Sequence, residues 1–124
     1  MFVLSHDPVP QLPPMTPGQH GAVLDFYGVV RDSEDGKPLS GIEYSAYQNM
    51  AERMLGALIE EAAKRFPDTR LFIHHSLGFV AAGQPSVLIR AIAKHSQQAF
   101  DLNRWALAEL KAKVPIWKKP VFVN

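Results

Sequence analysis

Residues 21–30, Gly-Ala-Val-Leu-Asp-Phe-Tyr-Gly-Val-Val, constrain the fold more than any other stretch. Val23, Asp25, Tyr27 and Val29 alternate with Ala22, Leu24, Phe26 and Gly28, the period of a β-strand. Both sets are largely apolar, so the strand is expected at the centre of a sheet, covered on both faces. Gly28 within it points to a bulge or a close backbone approach. The polar run at 31–38 carries Asp35 and Gly36, a hairpin signal in a loop that reads as longer than two residues. It predicts a second strand over 39–47, paired antiparallel with the first.

Asn49, with Glu52 three residues on, reads as a capping box that opens a helix. Met54, Leu55, Leu58, Ile59 and Ala62 share one face of it, and Phe66, Pro67 and Asp68 close it. Strands are expected at 70–75 and 86–93, with a turn-rich connection at 77–84. A second helix runs from about residue 96 to 114. Its apolar stripe is Phe100, Asn103, Leu107, Leu110 and Val114, and its polar stripe is Gln97, Asp101, Arg104, Ala108 and Lys111. Pro115 then forces the chain into an extended tail strand carrying Trp117, Lys118 and Lys119. The order predicts an α+β sandwich, a mostly antiparallel sheet with two main helices. Residues 1–20 read as a proline-rich arm (Pro8, Pro10, Pro13, Pro14, Pro17) with a candidate short strand at its start, and 21–124 as one domain.

Thirteen basic and twelve acidic side chains nearly cancel, so net charge gives no support to a nucleic-acid or membrane-surface role. No apolar run approaches the roughly 18 residues of a membrane span. Residues 1–8 lack a basic n-region and a full apolar h-region, so no signal peptide is expected and the cytoplasm is the expected location. The chain contains no cysteine. That removes disulfides, thiolate metal sites and cysteine nucleophiles, and any sulfur it handles must arrive on a partner. His74 and His75 are adjacent and point to opposite faces of a strand, so they are not a spaced metal pair. No metal and no cofactor are expected, since no nucleotide-binding glycine motif is present either.

What remains is anion chemistry. Lys111 and Lys118 flank the Pro115 turn, Arg31 closes the first strand, and His95 sits where a strand hands over to a helix whose free N–H groups can hold an anion. Lysines in a last helical turn also favour the helix dipole and keep a tail soluble, and Ser96 can cap the helix instead. Trp117 either packs the tail onto the body or stacks on a ring ligand. The residues alone leave these readings open.

Several stretches resemble a known family in order and spacing. They are residues 21–31, the segment 39–52 ending Tyr-Gln-Asn-Met-Ala-Glu, His-Ser-Leu-Gly at 75–78, Gly83, His-Ser-Gln-Gln-Ala-Phe at 95–100, and Leu-Lys-Ala-Lys-Val-Pro-Ile-Trp-Lys-Lys at 110–119. The last is the most specific. Together they resemble the large, catalytic subunit of molybdopterin synthase, the MoaE-type family.

The resemblance implies an α/β-hammerhead type of fold and a homodimer flanked by two small ubiquitin-like MoaD-type sulfur carriers. Each carrier would deliver sulfur as a C-terminal thiocarboxylate, converting cyclic pyranopterin monophosphate to the dithiolene of molybdopterin in molybdenum cofactor biosynthesis. Lys111 and Lys118 match the two active-site lysines, suited to acid–base work and to stabilising developing charge. Arg31 matches a pocket arginine that the family supplies from the neighbouring protomer. His95 matches a substrate-binding histidine, and Phe26 an aromatic near the pocket or the partner tail, where Trp117 is also expected. Ser76 and Ser96 stand where the family has arginines, and Pro120 where it has glutamate. Serine cannot reproduce arginine's bidentate grip on phosphate. Arg104 is the expected substitute because it shares Lys111's stripe, with Lys94 and Arg90 as other candidates. A competing reading is a relative of the same fold that binds the carrier or a pterin-like anion without turnover. A third is an unrelated anion-binding module.

Overall fold

At Arg31 the chain leaves one sheet and begins another, and this corner organises the molecule. The computed structural model describes residues 1–13 and 18–124; Pro14 and Pro17 of the expected arm lie outside the described residues. The elements are β1 (Phe2–Ser5), β2 (Ala22–Val29), β3 (Ser33–Glu34), β4 (Lys37–Ala46), α1 (Gln48–Arg65), β5 (Arg70–Ser76), β6 (Gly78–Ala81), β7 (Pro85–Ala93), α2 (Ser96–Lys113) and β8 (Ile116–Phe122). The first sheet has the order β1-β5-β7-β2; in the second, β4 pairs with β3, β6 and β8. All pairings but β1–β5 are antiparallel. The expected α+β sandwich with two main helices is the fold observed.

The register explains the core. Leu4, Ile73, His75, Val87, Ile89 and Ala91 share the face of the first sheet that meets the helices, and all are buried. From α1, Ala51, Leu55, Leu58 and Ala62 pack on it; from α2, Ala99, Leu102, Ala106 and Leu110 do. The buried stripe of α2 is offset from the expected one. Ala99 and Ala106 let the helix lie close to the sheet, and Phe100, expected inside, is 53% exposed. Asn103 is buried as expected, and its side-chain amide donates to the carbonyls of Leu24 and Ile89, both at 3.0 Å. It fastens α2 across β2 and β7.

Two expectations about β2 fail. It lies at the end of the sheet order, and β4 does not pair with it. The reason is local. Asp35 and Gly36 take positive φ angles of 52° and 77° and close a tight two-residue loop between Glu34 and Lys37, the geometry that suits a hairpin's twist. The partner strand is therefore β3, and the corner at Arg31 and Asp32 carries β4 into the second sheet. Gly28 behaves as expected: the register shifts between it and Val29, and a Cβ there would sit 2.6 Å from a Val87 methyl. The connection expected at 77–84 contains strand β6. The expected capping box also fails. Strand β4 runs to Ala46, Tyr47 is the N-cap without a side-chain bond, and Asn49 already lies inside α1.

The arm crosses the outer face of the first sheet. Arg90, 7% exposed, donates to both carboxylate oxygens of Asp25 across the β2–β7 pair, at 2.7 and 2.8 Å, and to the Pro13 carbonyl at 2.8 Å. The Asp25 hydrogen bonds hold the guanidinium charged, above its ordinary range, against the burial that opposes it. His74 and Ser76 donate to the Asp7 carbonyl at 3.3 and 2.7 Å. Removing the carboxylate strands a buried cation, so Asp25→Ala is expected to lower stability in urea unfolding by about 3 kcal/mol. A loss below about 1 kcal/mol would mean that the pair is solvated like a surface bridge.

Candidate active site

Between the two sheets lies a cavity of about 680 Å³. Three structural decisions build it. Helix α2 rests on the first sheet and brings Leu107, Leu110, Lys111 and Val114 to one wall. Val114 then turns extended, its N–H still bonded to Leu110 at 3.2 Å, and Pro115 ends the helix. The chain continues as β8, paired with β4 in the second sheet, where Tyr44 stands opposite Lys118 and Ile42 opposite Pro120. Side chains alternate along β8, so Ile116, Lys118 and Pro120 face the cavity and Trp117 and Lys119 face outward. The third wall is the corner of β2 and β3, with Phe26, Gly28, Arg31 and Glu34.

Arg31, Lys111 and Lys118 of one chain therefore line one cavity, with Phe26. Among the described residues, none of the three cations makes an ion pair. Lys113, by contrast, is tied to Glu109 at 2.8 Å, as a surface charge would be. Three unpaired cations converging on a concave, partly apolar site can hold a multiply charged anion. Arg31 lines the cavity of its own chain.

Other expected site residues lie elsewhere. His95 is the N-cap of α2 and Ser96 its first residue, both exposed. Sixteen residues of helix at 1.5 Å each put them roughly 24 Å along the axis from Lys111. Ser96 does not cap the helix, whose N-cap His95 makes no side-chain bond. Arg104 points to solvent, with a side chain 79% exposed and a loose contact to Asp101 at 3.9 Å. It replaces nothing in the cavity, and Arg90 is engaged by Asp25 and the arm. Trp117 is 49% exposed and packs edge-on against Tyr47 with ring centroids 5.0 Å apart, outside the cavity. Ser76 also lies outside, on the face opposite His75. Its hydroxyl serves the contact with the arm and takes no part in the cavity wall. Pro120 does line the cavity, at the position where the resemblance implies a glutamate.

Two lining residues are not among those the sequence assigned to the site. His75, 7% exposed, and Tyr44, 5% exposed, meet edge to face with ring centroids 5.0 Å apart. Their signal was parity: Leu71, Ile73 and His75 share one face of β5, and Ile42 and Tyr44 share one face of β4. Burial holds the His75 imidazole below its ordinary value of 6.5; the hydrogen bond to Ser76 opposes this, and the charges of Lys118 and His74 add to it.

Comparison with known proteins decides the family. The family model "MoaE protein" matches residues 9–113. A molybdopterin synthase catalytic subunit of Oryza sativa subsp. indica is 42% identical over 102 residues, 82% of this chain and 53% of the rice protein. The chain belongs to the MoaE family. One from Pseudomonas aeruginosa is 39% identical over 99 residues, 80% of this chain and 66% of its own length. The chain thus spans about half to two thirds of these relatives. The solved structure of molybdopterin synthase from Staphylococcus aureus superposes with a TM-score of 0.90 at 29% identity, covering 99% of this MoaE-type chain and 92% of the other. A chain from a complex of subunits 1 and 2 of the molybdopterin-converting factor of Helicobacter pylori superposes with a TM-score of 0.70 at 27% identity, over 86% of this chain and 73% of that one.

The lowered His75 value sets a pH dependence. Below about pH 6.5 the unfolded chain takes up a proton that the folded protein refuses, so stability falls as the pH drops. Urea unfolding at about pH 5 and about pH 7.5 is expected to show a smaller difference for His75→Gln than for the parent protein. An equal difference in both would remove His75 from the acid sensitivity.

Proposed function

We propose that this protein is the large subunit of a molybdopterin synthase. In the cytoplasm it would transfer sulfur from the C-terminal thiocarboxylate of a small ubiquitin-like carrier to cyclic pyranopterin monophosphate. The observation that carries this reading is the meeting of Arg31, Lys111 and Lys118 in one cavity of one chain. A cyclic phosphate and a thiocarboxylate are both anions, and both must be held close together for sulfur to pass between them. The lysines are suited to this because each is a mobile point charge that can follow the charge as it moves. The solved complex of two converting-factor subunits supports a small protein partner.

A homodimer is part of the proposal. His95 and Ser96 stand at the far end of α2 from Lys111, so His95 joins the substrate only if a second copy supplies it. Strand β2 ends the first sheet and exposes Val23, Tyr27 and Val29, a surface that a second copy can cover.

Pro120 favours one alternative, a family member that binds carrier and pterin without turnover, because it removes an ionisable group from the wall. One assay separates the two. The purified protein, a thiocarboxylated carrier and cyclic pyranopterin monophosphate are expected to yield the dithiolene product. Lys111→Ala and Lys118→Ala are each expected to lower the rate by about 100-fold or more. Carrier binding with no product from the intact protein would select the non-catalytic reading.

A further inference from the structure

Arg31, Lys111 and Lys118 give the cavity only hydrogen-bond donors. His75 differs. Its Nδ1 lies 2.8 Å from the carbonyl oxygen of Ser76. A carbonyl only accepts, so Nδ1 must carry a proton and donate it. In a neutral imidazole the other nitrogen, Nε2, then holds a bare lone pair. Nε2 has no hydrogen-bond partner among the described residues and is not sealed from solvent, since no buried polar side-chain atom among them is left unsatisfied. The ring is held in place by the Ser76 bond and by the edge of Tyr44.

We infer that His75 is the proton acceptor of this cavity, its tautomer set by the Ser76 carbonyl so that Nε2 takes a proton from water or substrate. The inference rests on the proposed sulfur transfer and names the group that such a transfer lacks. Once the carrier's sulfur is bonded to the pterin, the two are joined as an acyl thioester. Water must release them: its oxygen bonds to the acyl carbon, the carbon–sulfur bond breaks, and sulfur leaves with the electron pair on the pterin. One water proton goes to Nε2 of His75, and the second leaves the new carboxylic acid as it ionises to solvent. The lysines stay cationic and stabilise the departing sulfur and the carboxylate. Burial and the neighbouring Lys118 charge keep the imidazole neutral near pH 7, ready to accept.

The other titratable groups around the cavity are Tyr27 on β2, Tyr44 on β4, Lys118 on β8, Lys111 on α2, and Arg31 and Glu34 at the corner. Of these only Glu34 is another candidate base. It is exposed on the two-residue strand β3, whereas His75 is fixed in the wall.

The test has two arms. Nitrogen-15 NMR of the imidazoles in the intact protein, with the His75 signals assigned by their loss in His75→Gln, is expected to show protonated Nδ1 and bare Nε2 at about pH 7. A proton on Nε2, or an imidazolium at that pH, overturns the inference whatever the activity. In the product assay, His75→Gln is expected to lower kcat by about 100-fold or more, with KM changed less than about threefold and the acid limb of the pH profile lost. Glutamine reaches the Nε2 position with an acceptor that takes no proton, so over the pH range where unfolding shows both proteins fully folded, a merely structural role would leave the profile shape intact. If the parent protein is active, Lys111→Ala is not, and His75→Gln keeps its kcat, the proton-acceptor role fails while the proposed function stands. If the parent protein makes no product, the proposed function fails, and the catalytic role of His75 with it.

Discussion

The structure depends on one handover. At Val114 and Pro115 a helix that packs on the first sheet becomes a strand of the second. Because α2 is fastened by Asn103 to β2 and β7, and β8 is paired with β4, the two sheets cannot separate without breaking one of these attachments. The proline makes the change of course obligatory, since it lacks the N–H a further helical turn would need. Lys111 precedes the turn and Lys118 follows it, so the same few residues that join the sheets also bring two cations to the wall of one cavity. The corner at Arg31 is the counterpart at the other end of the cavity, where the chain first crosses from sheet to sheet.

Burial and electrostatics act together here. The cavity is walled by apolar residues of both sheets and of α2, and its cations are left without ionic partners. A concave site focuses the field of its cations, exposed though they are, so they gain more from an anionic ligand together than they would scattered over the surface. The opposite face of the first sheet shows the contrasting solution. There Arg90 is neutralised by Asp25 and the arm's carbonyls, and His74 and Ser76 are spent on the same arm. That face is satisfied internally, whereas the exposed cations of the cavity, on α2, β8 and the corner at Arg31, have no ionic partner among the described residues.

Much of this was legible in the sequence because it depends on neighbours a few residues apart. The α2 limits, the Pro115 exit, the tail strand and the close approach at Gly28 all follow from local pattern, and the placing of Lys111 and Lys118 on either side of the Pro115 turn follows with them. Trp117 shows what local reasoning can exclude but did not: adjacent residues on a strand face opposite ways, so Trp117 and Lys118 cannot both enter one pocket. His75 was within reach by the same parity, since it follows Leu71 and Ile73 on a buried face. Non-local facts were not legible. Whether β2 pairs with β4 or β7 depends on the two-residue turn at Asp35 and Gly36 and on where the chain corners. The separation of His95 from Lys111 is set by a helix length that a motif match ignores. Ser76 reads as a loss beside the family pattern, yet the parity of β5 sets it opposite His75, and the arm above it shows what its hydroxyl holds.

The central claim is that a single chain assembles the anion site from Arg31, Lys111 and Lys118. A crystal structure of the intact protein grown with inorganic phosphate tests it most directly. The account predicts a phosphate between the two lysine ammonium groups of one chain, with Arg31 of that same chain turned onto it. An anion found instead at His95 and the start of α2, with the cavity between the sheets holding only water, would contradict it.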